Sequence, residues 1–364
     1  TLTTSSAASD VYKRQMTDQM DENHLVEERK KKLQALRENT NAYPNSFRRD
    51  SLSENLLNSY GELSKEDLEK KNINISVAGR IMLRRIMGKA SFCTIQDMSG
   101  RIQLYLRGNE LDNYESFKDW DIGDIVGASG RLFKTNTGEL SIHLDNISLL
   151  TKSLRPLPEK HAGLSDIETR YRKRYLDLLT NEDSLKIFKV RSSIISKIRN
   201  YLINDDFIEV ETPMMHSIPG GATARPFVTH HNSLNMDLYL RVAPELYLKR
   251  LVVGGMEKVF EINRNFRNEG LSTRHNPEFT MLEFYTAYVD VNHQMSFVEN
   301  MLREVEKNLE IESNIFSSNF AKLSMDEAIL KYTTLDDNEL SNIETLKSFF
   351  LDSKIKVEKE ADNG

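Results

Sequence analysis

Val259-Phe-Glu-Ile-Asn-Arg-Asn-Phe-Arg-Asn-Glu-Gly270, followed after a short loop by His275-Asn-Pro-Glu-Phe-Thr-Met-Leu-Glu-Phe-Tyr285, sets the architecture of the C-terminal half. Both runs alternate with a period of two, the signature of β-strands. In the first, Phe260, Ile262 and Phe266 share one face, while Glu261, Asn263, Arg267 and Glu269 take the other. In the second, Phe279, Met281, Glu283 and Tyr285 oppose Thr280, Leu282 and Phe284. Two such strands around a short polar loop predict an antiparallel hairpin. A strand polar on one face only is expected to point that face at solvent or at a ligand. Arg267 suits phosphate by charge and forked donors. Phe279 suits stacking on a purine, and Glu283 suits an ammonium. An exposed hairpin with an ordinary Arg267–Glu269 salt bridge explains those two residues, but not the mixed face of Phe279, Glu283 and Tyr285.

Upstream, Ile218-Pro-Gly-Gly-Ala222 is a loop whose glycines permit close backbone approach to a ligand. Arg241-Val-Ala-Pro-Glu-Leu-Tyr247 places Glu245 after a proline near a helix start, where an acid also suits the helix dipole. Val190, Ile194, Ile195, Ile198, Tyr201 and Leu202 recur at helical spacing over Phe188–Leu202. Phe207-Ile-Glu-Val-Glu-Thr-Pro213 then reads as an edge strand ended by a proline.

The N-terminal half has another rhythm. Val77, Ile81 and Leu83 alternate, as do Ile102, Leu104 and Leu106, and Leu140, Ile142 and Leu144, with glycines between the runs. Short strands with regular turn signals predict a small barrel, and a five-stranded OB-fold fits the length. Arg80, Arg84, Arg85, Phe92, Gln103 and Arg107 mix basic and aromatic groups on it, which suits single-stranded nucleic acid. A structural barrel with ordinary surface charges remains the competing reading. Leu154-Arg-Pro-Leu-Pro158 is a stiff linker, and Glu168–Leu179 reads as a helix with a basic first half. Asp21–Asn39 reads as a charged surface helix; its run Arg29, Lys30, Lys31, Lys32 is either a solvated face or an approach to nucleic acid.

Bulk properties narrow the class. The 364 residues suffice for more than one domain, and a net charge of −6 excludes a uniformly basic coat. One cysteine, Cys93, excludes a disulfide framework and a cysteine-based zinc site. No apolar run is long enough to span a bilayer. A soluble, cytoplasmic protein without a membrane partner is expected. Thr1–Gln15 lacks the apolar core of a secretory signal and reads as a non-native or disordered leader, with Met16 the natural start.

Phe266-Arg-Asn-Glu269, the loop to His275-Asn-Pro-Glu-Phe279 and Glu283 resemble motif 2 of class II aminoacyl-tRNA synthetases. The helix at 188–202 with Phe207–Pro213 resembles their dimer-forming motif 1. Ile218–Ala222, Thr229-His-His231, Ala243-Pro-Glu-Leu-Tyr-Leu248 and Asn276–Tyr285 together resemble the bacterial-type lysine–tRNA ligases. The barrel is similar to that family's anticodon-binding domain, down to Gly88-Lys-Ala-Ser-Phe92 and Gly138-Glu-Leu-Ser-Ile142. The resemblance covers roughly Leu25 to Met301.

It implies an α+β chain: an N-terminal OB-fold β-barrel followed by a class II synthetase antiparallel sheet domain with flanking helices, incomplete. The expected divisions are a leader at 1–15, a helical segment at 16–70, the anticodon-binding domain at 71–152, a linker at 153–180 and the catalytic domain at 181–364. It implies that Arg267 contacts the ATP α-phosphate and that Glu269 approaches the adenine or the acceptor end. His275 and Asn276 would border the triphosphate, and Phe279 would stack on adenine. Gly221 and Glu245 would receive the lysine α-ammonium, while Glu283 and Tyr285 would fix its far end. Phe92 would stack on an anticodon base, with Arg84, Arg85, Gln103 and Glu139 as neighbours. ATP and Mg²⁺, tRNA(Lys), lysine and a homodimer through motif 1 follow as expected partners.

No glycine-rich string ending in Asp-Arg follows residue 285. Motif 3, with the magnesium-binding acids, is therefore expected to be missing, and the chain is expected to be an inactive fragment. Two alternatives stay open: a tRNA-binding module without catalysis, and a ligase of the same subclass for aspartate or asparagine. For aspartate, the Glu245 and Glu283 pair is the counter-argument.

Overall fold

A computed structural model describes residues 23–158, 166–272, 274–309 and 313–353. The leader expected at 1–15 lies outside these residues. The chain divides into two compact units, the first ending at Ser184 and the second beginning at Leu185.

The first unit opens with helices α1 (23–39), α2 (Ser53–Tyr60) and α3 (Lys65–Lys71). Ser64 caps α3 by accepting the Asp67 N–H, satisfying a first-turn donor that would otherwise be orphaned. Five strands follow: β1 (Asn74–Met87), β2 (Ala90–Gln96), β3 (Arg101–Arg107), β4 (Ile125–Lys134) and β5 (Leu140–Thr151), with the short helix α4 (Tyr114–Lys118) between β3 and β4. They close into a barrel in the order β1-β2-β3-β5-β4, with β3 and β5 parallel and the other pairs antiparallel. Alternation is strict in β2 and β3, so Cys93, Ile95, Ile102, Leu104 and Leu106 point inward and join one core with Val77, Ile81 and Ile142. Burial pushes the Cys93 thiol up to about 12, so it stays protonated and packs as a small apolar group. At Gly130, beside a register shift between β4 and β5, a Cβ would sit 2.1 Å from the His143 carbonyl oxygen, so no side chain fits there.

The basic run on α1 is largely spoken for. Arg29 is buried and donates to the Ser153 and Arg155 carbonyls at 3.2 and 3.1 Å. Lys32 reaches Asp121, which also meets the buried Lys152, while Lys30 pairs with Glu27 at 2.8 Å. Of the four cations, three hold helix to barrel or helix to itself, which leaves little for nucleic acid. The helix expected at Glu168–Leu179 is broken at Lys173 into α5 (Ile167–Arg172) and α6 (Arg174–Thr180). Its arginines also turn inward: Arg170 and Arg174 both bind the buried Asp177.

Helix α7 (Glu182–Asn204) leads into the second unit and begins earlier than the apolar spacing indicates. Strands β6 (Ile208–Glu209), β7 (Met215–His216), β8 (Val228–His231) and β9 (Met236–Leu240) are followed by α8 (Glu245–Val253), β10 (Lys258–Phe266), β11 (Glu278–Thr286) and α9 (Val291–Lys307). One sheet runs β11-β10-β6, with β10 and β11 antiparallel and β6 as a parallel edge. The edge strand is only two residues long, although Val210 continues it with an N–H bond to the Phe260 carbonyl at 2.9 Å. A second sheet runs β7-β9-β8. Leu202, Phe207, Phe260, Met301 and Val305 form the core, joined by Ile262, Leu282 and Phe284 from the even face of the hairpin. The weakly periodic tail carries three short helices, α10 (Met325–Tyr332), α11 (Asp337–Leu340) and α12 (Ile343–Asp352), the first two with capping boxes. Among the described residues no helix is long and apolar enough to cross a membrane.

Phe260 has no exposed surface, and its ring meets Phe207 edge-on at 6.5 Å. Phe260→Ala should cost about 3–5 kcal/mol by cavity formation. Hydrogen exchange should then accelerate in the β10 and β11 amides while β1–β5 amides keep their protection; unchanged exchange in the hairpin would contradict this core assignment.

Candidate functional site

The hairpin register pairs Val259 with Tyr285, Glu261 with Glu283, Asn263 with Met281, and Asn265 with Phe279. Directly opposed residues of an antiparallel pair share a face. The odd-numbered side chains thus form one surface, as the alternation predicts. That surface is not simply directed at solvent or ligand. Glu261 and Asn265 are fully buried, and two carboxylates, Glu261 and Glu283, stand directly opposite each other. Like charges so placed destabilise a sheet unless they are compensated.

Arg241 supplies the compensation. Its guanidinium has no exposed surface and lies 2.8 Å from Glu261 through Nη1. Nε donates to the Arg264 carbonyl at 2.9 Å, and Nη1 also reaches Thr212 Oγ1 at 2.9 Å. The Thr212 hydroxyl donates to Glu261 at 2.6 Å, and Asn263 Nδ2 donates at 3.1 Å. Three buried atoms on or beside this face lack partners among the described residues: Arg241 Nη2, Asn265 Oδ1 and Arg267 Nε. Buried polar groups left unpaired are costly, and each one marks a place where a ligand atom could be accepted.

One end of the face is acidic. Glu283 is half-buried and accepts from the Tyr285 hydroxyl at 3.1 Å. Burial raises the Glu283 carboxyl above the ordinary range, and Glu245 adds to the rise. Burial likewise raises the Tyr285 phenol, followed by the charge of Glu283. Glu245 lies in the first turn of α8, paired with Lys249. The loop 218–222 rests on that turn. Gly221 has φ +90°, and a Cβ there would come within 3.1 Å of the Glu245 Cβ. Both its backbone conformation and this approach require glycine. Gly221, Glu245, Glu283 and Tyr285 are therefore brought together; Lys249, which pairs with Glu245 and lies 6.0 Å from the Tyr285 ring centre, leaves Glu283 as the carboxylate without a counter-ion at this end among the described residues.

The other end is cationic and aromatic. Arg267 carries its guanidinium carbon 5.2 Å from the Phe279 ring centre, and its backbone N–H bonds the Pro277 carbonyl at 2.8 Å. Arg267 forms no ion pair with Glu269, so the ordinary salt-bridge reading of these two residues does not hold. Glu269, His275 and Asn276 are exposed around the connecting loop, with His275 Nδ1 2.8 Å from Ser272 Oγ.

In the barrel, a cleft of about 520 Å³ is lined by Arg85, Phe92, Thr94, Gln103, Thr135 and Glu139. Gln103 Nε2 donates to Glu139 at 2.9 Å, and its carbonyl accepts from Ser141 at 2.9 Å. Both ends of the amide are thereby oriented. Arg84 is not part of this cleft. It pairs in register with Cys93 rather than Phe92, and donates to the Phe117 and Lys118 carbonyls at 3.0 and 2.8 Å.

Residues 166–357 match the family described as tRNA synthetases class II (D, K and N), and residues 75–150 match the OB-fold nucleic acid binding domain. The chain belongs to the class II tRNA synthetases of this group. It is 60% identical over 322 residues to a lysine–tRNA ligase of Nitrosomonas europaea, covering 86% of this chain and 64% of the relative. A lysine–tRNA ligase of Legionella pneumophila strain Lens is 59% identical over 322 residues, covering 86% of this chain and 65% of the relative. One from Neisseria meningitidis serogroup B is 54% identical over 344 residues, covering 92% and 68%. The chain spans just under two thirds of the length of the first two.

Within this class II synthetase, Thr212, Arg241 and Glu261 escaped the sequence reading. The one available signal was Arg241 itself, a charge inside the apolar run Leu238–Ala243. Arg241→Met should destabilise the second unit by about 3–5 kcal/mol, because it strands a buried carboxylate opposite Glu283. Adding Glu261→Gln should recover most of that loss in urea denaturation. A double variant as unstable as the single one would show that the charge pair is not the cause.

Proposed function

We propose that this chain acts as part of a lysine–tRNA ligase, activating lysine with ATP and transferring it to tRNA(Lys). The observation that carries the reading is the two-ended hairpin face, with Arg267 over Phe279 at one end and Glu283, Tyr285, Glu245 and Gly221 at the other. ATP would bind at the first end: Phe279 stacks on adenine, Arg267 neutralises the α-phosphate, and Glu269, His275 and Asn276 border the nucleotide from the loop. Lysine would bind at the second, its α-ammonium near Gly221 and Glu245 and its far ammonium against Glu283 and Tyr285. The lysine carboxylate then attacks the α-phosphorus, the bond to pyrophosphate breaks, and lysyl-adenylate forms. The terminal ribose hydroxyl of tRNA next takes the lysyl group and AMP leaves. Such chemistry depends on positioning and charge stabilisation more than on a protein nucleophile.

Mg²⁺ is proposed to accompany ATP. The described residues hold no group of three or more His, Cys, Asp or Glu side chains suited to a metal, so no step is assigned to the ion. Residues 71–152 are proposed as the anticodon-binding domain, with Arg85, Phe92, Gln103 and Glu139 reading the base, after the helical segment 16–70. The linker is proposed at 153–180 and the catalytic domain from 181 onward. A cytoplasmic homodimer is proposed through α7 and the following edge, where Ile187, Ile203 and Ile208 are exposed.

In a version extended to the length of its relatives, Arg267→Ala should slow lysine-dependent pyrophosphate exchange by about 10²–10³, as for loss of one preorganised donor. Unchanged exchange would refute the role, and exchange driven by aspartate instead of lysine would move the substrate assignment. Lysine affinity should also depend on pH. Glu283 must be ionised to hold an ammonium, and its carboxyl titrates above its ordinary value. As pH falls, calorimetric lysine affinity should therefore weaken before about pH 4.3, the reference value for glutamate. Glu283→Gln should be weak throughout and flat; a flat profile in the unaltered chain would contradict the role of Glu283.

A further inference from the structure

Among the odd-face residues of β10, Asn265 belongs to neither end of the proposed site. It is 1% exposed, and its amide oxygen has no hydrogen-bond partner among the described residues. Buried polar atoms are normally paired, so an orphan in the middle of a strand calls for a reason. Two residues on, Arg267 has the complementary defect. Its Nε is buried and also lacks a partner among the described residues. Its guanidinium rests instead on the Phe279 ring, 5.2 Å from the ring centre. A donor and an acceptor, both buried and both unpaired, thus share one strand face. Side chains at i and i+2 point to the same side, and two strand rises separate their backbones by roughly 7 Å, within reach of an arginine side chain. Phe279 is the direct cross-strand neighbour of Asn265, so Arg267 already leans over the ring beside that amide.

Arg241 is the rival partner for the amide oxygen, since its Nη2 is the third orphan. It brackets Asn265: its carbonyl accepts the Phe266 N–H at 2.9 Å, and its Nε donates to the Arg264 carbonyl at 2.9 Å. But its Nη1 is also held, by Glu261 at 2.8 Å and by Thr212 Oγ1 at 2.9 Å. A planar guanidinium pinned at Nε and Nη1 cannot turn its remaining nitrogen to a new acceptor. The Arg267 guanidinium makes no ion pair or hydrogen bond among the described residues, so it can turn about its side-chain bonds. Such a turn has a use. A base stacked on Phe279, as proposed above, needs a ring face, and Arg267 lies over one of the two.

We propose that Asn265 is a positioning residue for Arg267: its amide oxygen receives the Arg267 Nε–H when the guanidinium turns from the Phe279 ring toward the α-phosphate. This rests on the reading of Arg267 as the phosphate-binding residue. The turn satisfies both orphans at once. It also leaves the forked end of the guanidinium, Nη1 and Nη2, for phosphate oxygens. An arginine fixed at Nε presents that fork in one orientation, which is the preorganisation that charge stabilisation requires. An amide suits the task because its oxygen is neutral. It orients the guanidinium without cancelling its charge, whereas a carboxylate in the same place would compete with the phosphate.

The test is a double-mutant cycle on lysine-dependent pyrophosphate exchange, in the version extended to the length of its relatives, with urea denaturation to check that each variant is folded. Asn265→Leu keeps the shape of the side chain and removes the acceptor. It should lower kcat by about 10- to 150-fold, the range for losing a hydrogen bond to a charged group, and leave the KM for lysine unchanged. Asn265→Ala makes the same test where leucine unfolds the hairpin. Asn265→Asp should restore most of kcat but raise the KM for ATP, because an ionised partner shares the charge of Arg267. Asn265→Leu added to Arg267→Ala should slow exchange no further, since the amide acts only through the guanidinium. A double variant slowed by the product of the two single effects would show that Asn265 serves Arg241 or the hairpin instead, and would overturn the proposal. So would a lysine KM that rises with Asn265→Leu, because a loosened hairpin would also displace Glu283 and Tyr285. Normal exchange with Asn265→Leu beside slow exchange with Arg267→Ala would overturn the role of Asn265 and leave that of Arg267 standing. Unchanged exchange with Arg267→Ala would remove the phosphate reading itself, and this proposal with it.

Discussion

The guanidinium of Arg241 sits without exposed surface between β9 and β10, and the second unit is arranged around it. It bonds the Arg264 carbonyl of β10, the Thr212 side chain from the β6–β7 connection and the Glu261 carboxylate, so one side chain ties three segments together. Its charge matters as much as its reach. The register places Glu261 directly opposite Glu283. Without a counter-charge, one of these carboxylates would have to leave the sheet or take up a proton. With Arg241 against Glu261, the half-buried carboxylate of Glu283 is the one left without a counter-ion among the described residues. Burying an ion pair gives little net stability, and breaking one is expensive. Such a pair makes sense where it fixes geometry.

The same arithmetic explains why the acidic end is poised rather than relaxed. Glu283 is raised by burial and by Glu245, and the Tyr285 phenol is raised in turn. The folded chain holds these groups closer together than they would sit by themselves, and Lys249 against Glu245 offsets only part of the repulsion. For a carboxyl whose folded value is raised, stability is higher below that value and falls as pH rises through it, the opposite of a salt-bridged acid. The acidic end is thus held together at some cost in stability near neutral pH.

Much of this was legible in the sequence, and the reason is geometric. Period-two alternation carries over directly to a hairpin, so the shared face of Glu283, Tyr285 and Phe279 follows from parity alone. Parity cannot show what lies over that face. Glu261 belongs to the same set as Glu283, yet it is covered by Thr212 and Arg241, which arrive from loops and strands distant in the chain. The basic runs failed for a related reason. Arg29 and Lys32 sit in a run that reads as a solvated face or an approach to nucleic acid, and Arg170 and Arg174 in the basic first half of a helix, but their partners Asp121 and Asp177 are apart from them in sequence or hidden in a helix that breaks. Arg84 and Arg85 are neighbours in sequence and take opposite faces, a distinction set by a register shift between Ile81 and Leu83 that no residue pattern announces.

That shift has consequences for the outer face of the barrel. Counted uniformly from Ile81, an inward residue, Arg85 would also turn inward. The irregularity instead sets Arg85 beside Phe92 and sends Arg84 to the carbonyls at the end of α4. Arg84 thereby secures the helix that bridges β3 and β4, and Arg85 becomes the first member of a cross-strand row in which Phe92 pairs with Tyr105 and Tyr105 with His143. Closure of the barrel does the remaining work. Parallel pairing of β3 with β5 carries His143 next to Tyr105, and antiparallel pairing of β5 with β4 carries Arg131 next to His143, although the three belong to separate segments. A meander of the same strands would leave β3 beside β4 and break the row at its centre, so the topology, more than any one residue, makes the outer face continuous.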